Sequence, residues 1–185
     1  MRAAARQQPG SRNVSETTRH AQEIYVSGLR NQHAVEKQAV QLLERQVGRL
    51  ENYPEMEARL REHIGESEQQ AKRIEQLLEA FGSTNSTLKD MGLQFMGNMA
   101  ALAHAPAPDE VVKNTFANFA FEHFEIASYR SLLVLAETVG HQDGLGLLRQ
   151  SLQEEEAMAR WIDEHLRPTT LRYLERSASG QTAGR

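Results

Sequence analysis

The chain contains no cysteine. That excludes a disulfide framework and any thiolate metal site, and it fits a reducing compartment, so the protein is expected in the cytoplasm. No apolar run approaches the roughly 18 residues a bilayer-crossing helix needs. Met1 to Arg12 carries Arg2 and Arg6 with no apolar stretch behind them, which does not read as a secretory signal. A dominant charge is missing as well: 21 basic and 25 acidic residues leave a net charge of −4, and no basic block stands out. Nucleic acid and membrane surfaces are therefore not expected partners. Proline is scarce, 5 in 185 residues, and the sequence has no strand-like alternation of apolar and polar positions. Long helices are what such a sequence can build.

With 39% hydrophobic and 25% charged residues, the chain has the composition of one ordinary domain with room for a core. Residues 1–19 lack periodicity and read as a disordered tail, residues 20–176 as the folded domain, and residues 177–185 as a flexible Ser/Gly tail. The first helix is predicted over about 20–51 and is broken by Asn52-Tyr53-Pro54. A second follows over about 55–81, with Gly82 as its stop. The stretch 83–108 is too long for a tight turn. Its apolar segment with Met91, Met96 and Met99 reads as a crossover containing a short helix. Asp109 caps a third helix over about 109–139, ended by Gly140, and a fourth covers about 144–166. Pro168 stops or kinks it before a last helical piece, Thr169 to Arg176. Hairpin, long crossover, hairpin is the pattern of a ferritin-like four-helix bundle, an all-α fold.

Each helix plants a carboxylate where the pattern calls for a hydrophobe. In the first, Leu29, His33, Glu36, Val40, Leu43, Val47 and Leu50 step by 4 and 3, the inward stripe of an amphipathic helix. Glu36 sits in its middle. Glu66 borders the stripe of the second helix, Glu122 and Glu125 lie one turn apart in the third, and Glu155 interrupts Leu148, Leu152, Ala159 and Ile162 in the fourth. A buried carboxylate without a partner costs several kcal/mol. Four helices each aiming one inward imply a shared counter-charge, and a pair of divalent metal ions supplies it. Bundle di-metal sites take one Glu from each of two helices and Glu-x-x-His from each of the other two. Here His63 stands three residues before Glu66, the reverse order, and Met158 stands where the fourth helix would carry its histidine. The expected metal ligands are Glu36, His63, Glu66, Glu122, Glu125 and Glu155. His33, Gln69, Gln70 and Tyr129 are expected to support them through hydrogen bonds. Tyr129 is either redox-active or a satisfied core residue. The ions are expected to be iron, with manganese or zinc as alternatives.

Several stretches together resemble a family: Glu36-Lys37-Gln38; His63-x-x-Glu66-Ser67-x-x-Gln70 followed by Arg73-Ile74-Glu75; Glu122-His123-x-Glu125-Ile126-Ala127-x-Tyr129; and Leu152-x-Glu154-Glu155. Over roughly residues 22–166 the sequence is similar to the YciE/YciF-type ferritin-like stress proteins. The resemblance implies a rubrerythrin-like helical bundle, a di-metal site between its helices, a homodimer, and induction under stress. Oxygen, peroxide or ferroxidase chemistry at two metal ions would follow. The alternative is a non-catalytic bundle dimer with a vestigial or structural metal site.

Overall fold

The structure, a computed structural model, describes residues 9–82 and 107–184. It contains four helices: α1 (Pro9–Val47), α2 (Pro54–Glu79), α3 (Glu110–Val139) and α4 (Gln142–Ala178). No strand occurs among the described residues, and no described helix is long and apolar enough to cross a membrane. The predicted stripes fold inward: in α1, Leu29, His33, Glu36, Val40, Leu43 and Val47 are all buried, as is Leu50 just beyond its end.

Beside a small cluster of Val35, Ala39 and Phe121, the core holds two larger apolar clusters with a polar layer between them. One cluster gathers Tyr25 and Leu29 of α1, Ile74 and Leu77 of α2, Tyr129 and Leu132 of α3, and Leu145 and Leu148 of α4. The other gathers Leu43 and Val47, Met56 and Leu60, Val111, and Met158 and Ile162. Followed along the chain, α1 and α4 run from the first cluster to the second, while α2 and α3 run back. α1 with α2 and α3 with α4 are thus antiparallel hairpins. Phe81 and Val111 lie at opposite ends, so the connection between the hairpins returns the length of the bundle. This is the ferritin-like architecture. The short helix expected in that crossover, with its methionines, lies outside the described residues.

The turns follow local chemistry. Pro54 opens α2 at its first position, where a missing N–H costs nothing. Gly140 ends α3 at φ 76°, a left-handed conformation that glycine adopts without strain, and its N–H reaches Ala136 and Glu137. Asp109 stands at the N-cap of α3 without a side-chain cap bond. Its carboxylate pairs instead with Lys113 at 2.8 Å.

Boundaries differ from expectation at three places. α1 begins at Pro9 rather than near residue 20; residues 1–8 lie outside the described ones. Pro168 does not end α4, which runs on to Ala178. Its side chain breaks one backbone bond of the ladder, but packing of Thr169, buried, and of Leu166 and Tyr173 against the second cluster outweighs that loss. The segment expected as a flexible C-terminal tail folds back on the bundle. Gly184 O accepts from the Val111 N–H at 3.1 Å, Ala183 O from the Tyr53 hydroxyl at 2.6 Å, and Thr182 O from Asn52 and Arg176. The Ser/Gly composition that suggested flexibility reflects close approach: a Cβ on Gly184 would lie 2.2 Å from Pro108 O.

Candidate metal centre

The polar layer is built from one or two turns of every helix. α1 contributes Gln32, His33 and Glu36; α2 contributes His63, Ser67 and Gln70; α3 contributes Glu122 and Glu125; α4 contributes Ser151 and Glu155, all of them buried. His63, Glu36, Glu125 and Glu155 are essentially sealed from solvent.

His63, Glu122 and Glu155 form the centre's tightest group, each offering a ligand atom within 4.8 Å of the others. His63 Nε2 lies 3.2 Å from Glu122 Oε2 and 3.7 Å from Glu155 Oε2. Neither approach has the alignment of a hydrogen bond, so these are ionic contacts of converging atoms. The ring is held from behind, where Nδ1 and Glu66 Oε2 are 2.6 Å apart. Arg59 steadies Glu66 at 3.1 Å. A carboxylate on one ring nitrogen fixes the tautomer and leaves the other nitrogen to face a ligand. Glu66, expected as a metal ligand, stands behind the His63 ring with Oε2 turned to Nδ1.

On the other side Gln32 Nε2 donates to Glu36 Oε1 at 2.8 Å and to Glu125 Oε1 at 3.3 Å. The Tyr129 hydroxyl donates a short bond, 2.5 Å, to Glu36 Oε1. Each carboxylate keeps its second oxygen without a hydrogen-bond partner. Among the ionisable groups the buried atoms so left are Glu36 Oε2, Glu125 Oε2, Glu122 Oε2, both oxygens of Glu155, and His63 Nε2; Gln32 Oε1, Ser67 Oγ and Gln70 Oε1 are without a hydrogen-bond partner as well.

Charge does not balance within the layer. Burial first, then the carboxylates around it, raises the Glu125 and Glu155 carboxyls well above the ordinary range. Burial likewise pushes Glu36 up to about 7 against the bonds from Tyr129 and Gln32. Of the layer's two described histidines, His33 is turned to Glu75 and His63 alone faces the buried carboxylates. Burial works against its charged form, but Glu122, Glu66 and Glu155 outweigh that and raise it well above 6.5. Burial raises Glu122 too, and His63 more than cancels it, so Glu122 ends lowered. The four acids thus have one imidazole facing them, because Arg59 is committed to Glu66 and Arg73 to Glu154.

The remaining predicted residues sit around this layer. Gln70 is buried and donates to Glu154 at 3.0 Å. His33 Nε2 meets Glu75 at 2.8 Å on the layer's margin. Gln69 lies on the exposed face of α2, turned away because only every third or fourth residue of a helix faces inward. Sequence reasoning missed Gln32 and Arg59, and it named Ser67, Arg73 and Glu154 within the resembling stretches without the bidentate pair of Arg73 with Glu154, at 2.6 and 2.8 Å. Gln32 is one turn before Glu36 on the same face, and that spacing is the signal that could have found it.

A four-helix bundle with a long return crossover and a buried layer of carboxylates and histidine defines a ferritin-like helical-bundle protein. The chain belongs to the family described as "Domain of unknown function (DUF892)", whose model matches residues 20–175. Protein YciF of Escherichia coli (strain K12) is 27% identical over 147 residues, which cover 74% of this chain and 84% of that one. Among solved structures, a protein from Xanthomonas campestris pv. campestris is 31% identical, with a TM-score of 0.72 over 85% of this chain and 99% of that one. The crystal structure of the E. coli stress protein YciF aligns with a TM-score of 0.62 and 22% identity over 79% of this chain and 94% of that one. The YciE/YciF-type resemblance read from the sequence is thereby established.

Proposed function

We propose that this protein binds two divalent metal ions, iron foremost, in the buried layer between its helices, in a stress-related role in the cytoplasm. The observation that carries this reading is the set of unpartnered atoms. Five carboxylate oxygens and one imidazole nitrogen are buried, and leaving such atoms unpaired costs free energy unless a cation takes them up. Hard oxygen donors with an imidazole suit iron, manganese or zinc. His63, Glu122, Glu155, Glu36 and Glu125 would hold the ions, with Glu66, Gln32 and Tyr129 orienting them. Redox-active ions bound there would supply oxygen or peroxide reduction, or oxidation of ferrous iron. The chain's own contribution is to exclude water with apolar clusters, to keep Glu66 and Arg59 as a charged link between His63 and solvent, and to hold Glu36 with the hydrogen bond that the Tyr129 hydroxyl donates.

Elemental analysis after anaerobic loading with ferrous iron tests this: two ions per chain and an absorption change on adding peroxide are expected. Protein that retains no iron refutes it. A second reading, a non-catalytic dimer with a structural ion, is favoured by Met158, fully buried where a fourth-helix histidine would stand. It predicts metal uptake that raises the melting temperature without any response to peroxide. In both readings the protein is a homodimer. Phe116 and Val134, about five turns apart on one side of α3, are each more than half exposed and supply apolar surface for it.

A further inference from the structure

The buried layer is not symmetric. On one side stand His63, Glu122 and Glu155, mutually within 4.8 Å, an imidazole with two carboxylates. On the other stand Glu36 and Glu125, oxygen donors alone, drawn onto a single amide nitrogen by Gln32. Gln32 is 1% exposed, and its own carbonyl oxygen has no hydrogen-bond partner. It touches neither His63 nor Glu155 by hydrogen bond, so its influence falls on one half only.

Both halves present buried atoms that nothing in the described chain satisfies: Nε2 and carboxylate oxygens on the first, Glu36 Oε2 and Glu125 Oε2 on the second. Their chemistry differs. A nitrogen donor raises affinity for zinc and the later transition ions, whereas an all-carboxylate set favours harder ions such as manganese. Their preorganisation differs too. His63 is fixed by Glu66 and Arg59, a three-residue chain reaching toward the surface. Glu36 and Glu125 depend on one amide and, for Glu36, on Tyr129.

Resting on the metal-site reading above, we propose that the centre consists of two unequal positions that fill in order. A zinc-like divalent ion takes the position of His63, Glu122 and Glu155 first. A harder ion such as manganese then takes the position of Glu36 and Glu125, which Gln32 holds together as a positioning residue. The native centre can therefore hold two different metals.

The test uses the full chain, freed of metal, given one equivalent of Zn²⁺ and then titrated with Mn²⁺, with free Mn²⁺ read by electron paramagnetic resonance. The zinc-loaded wild type is expected to bind one Mn²⁺ per chain. In Gln32→Leu the affinity for the first Zn²⁺ stays within about 2-fold, while Mn²⁺ binding weakens by about 10-fold or more, the usual loss when a ligand's hydrogen-bond partner is removed. Gln32→Met, closer in shape, gives the same split if the leucine variant does not fold. Two Zn²⁺ entering the wild type in one cooperative step, or no Mn²⁺ uptake after one Zn²⁺, would overturn the order of filling and leave the metal site standing. Equal weakening of both ions in either variant overturns the role given to Gln32. A chain that binds neither ion refutes the metal-site reading and this inference together.

Discussion

His63 is the described histidine that faces the buried acids of the layer, and substitutions there read out most sharply. His63→Ala removes a proposed ligand together with the imidazole that faces the buried acids. It is expected to lower metal affinity by at least about 100-fold, whereas Glu66→Gln, which acts through the ring, costs about 10- to 100-fold. Isothermal titration with Zn²⁺ checks both. Protonation gives an independent handle. Glu36, Glu125 and Glu155 bind protons more tightly folded than unfolded, so their contribution is full below their ordinary 4.5 and is lost as pH rises, through about 7 for Glu36. His63 is also raised, and its contribution is lost as pH climbs above 6.5. Glu122 and Glu66, lowered, count in the opposite sense only below about 4.5. The metal-free protein should therefore melt higher at pH 5.5 than at pH 8. Saturating metal should flatten or reverse that slope, because metal binding requires the ligands deprotonated. Glu36, Glu122, Glu125 and Glu155 were legible from their places in apolar stripes. Glu66, which borders its stripe, turns Oε2 to the His63 ring and to Arg59, because a residue at a stripe's edge can reach a neighbouring side chain. Gln32 went unnoticed because an amide in a stripe carries no charge to explain.

Helix contacts set how much the elements tolerate. At the first turn of α4, a Cβ on Gly144 would lie 2.7 Å from Leu77 Cδ2 and 2.9 Å from the His141 ring. Gly144→Ala should cost about 1–3 kcal/mol through overpacking where α4 meets α2. Gly146→Ala, two residues on with nothing within 4 Å, should instead stabilise by up to about 1 kcal/mol through helix propensity. Thermal melts of the two variants side by side separate packing from propensity. Helix existence was readable from periodicity, and the hairpin turns from Pro54 and Gly140. The extent of α4 was not, because Pro168 is a local stop signal that tertiary packing of Thr169, Leu166 and Tyr173 overrides.

Across the whole molecule, the two apolar clusters act as end plates that keep the polar layer dry, and the C-terminal residues fasten one plate. Tyr53 is buried against the second cluster, its hydroxyl donating to Ala183 O and its ring lying under Arg172. Tyr53→Phe should cost about 1 kcal/mol, the net value of one buried hydrogen bond, and make residues 180–184 more susceptible to proteolysis. The topology followed from connection lengths, short, long, short. The fold-back of the last residues did not, because it depends on backbone carbonyls meeting partners on distant turns, which composition does not encode. The central claim is that cations join the buried atoms of all four helices. Anomalous diffraction from crystals loaded anaerobically with iron tests it most directly. The account predicts a peak within bonding distance of His63 Nε2, Glu122 and Glu155, and a second beside Glu36 and Glu125. Fully loaded crystals with no peak in the layer would contradict it.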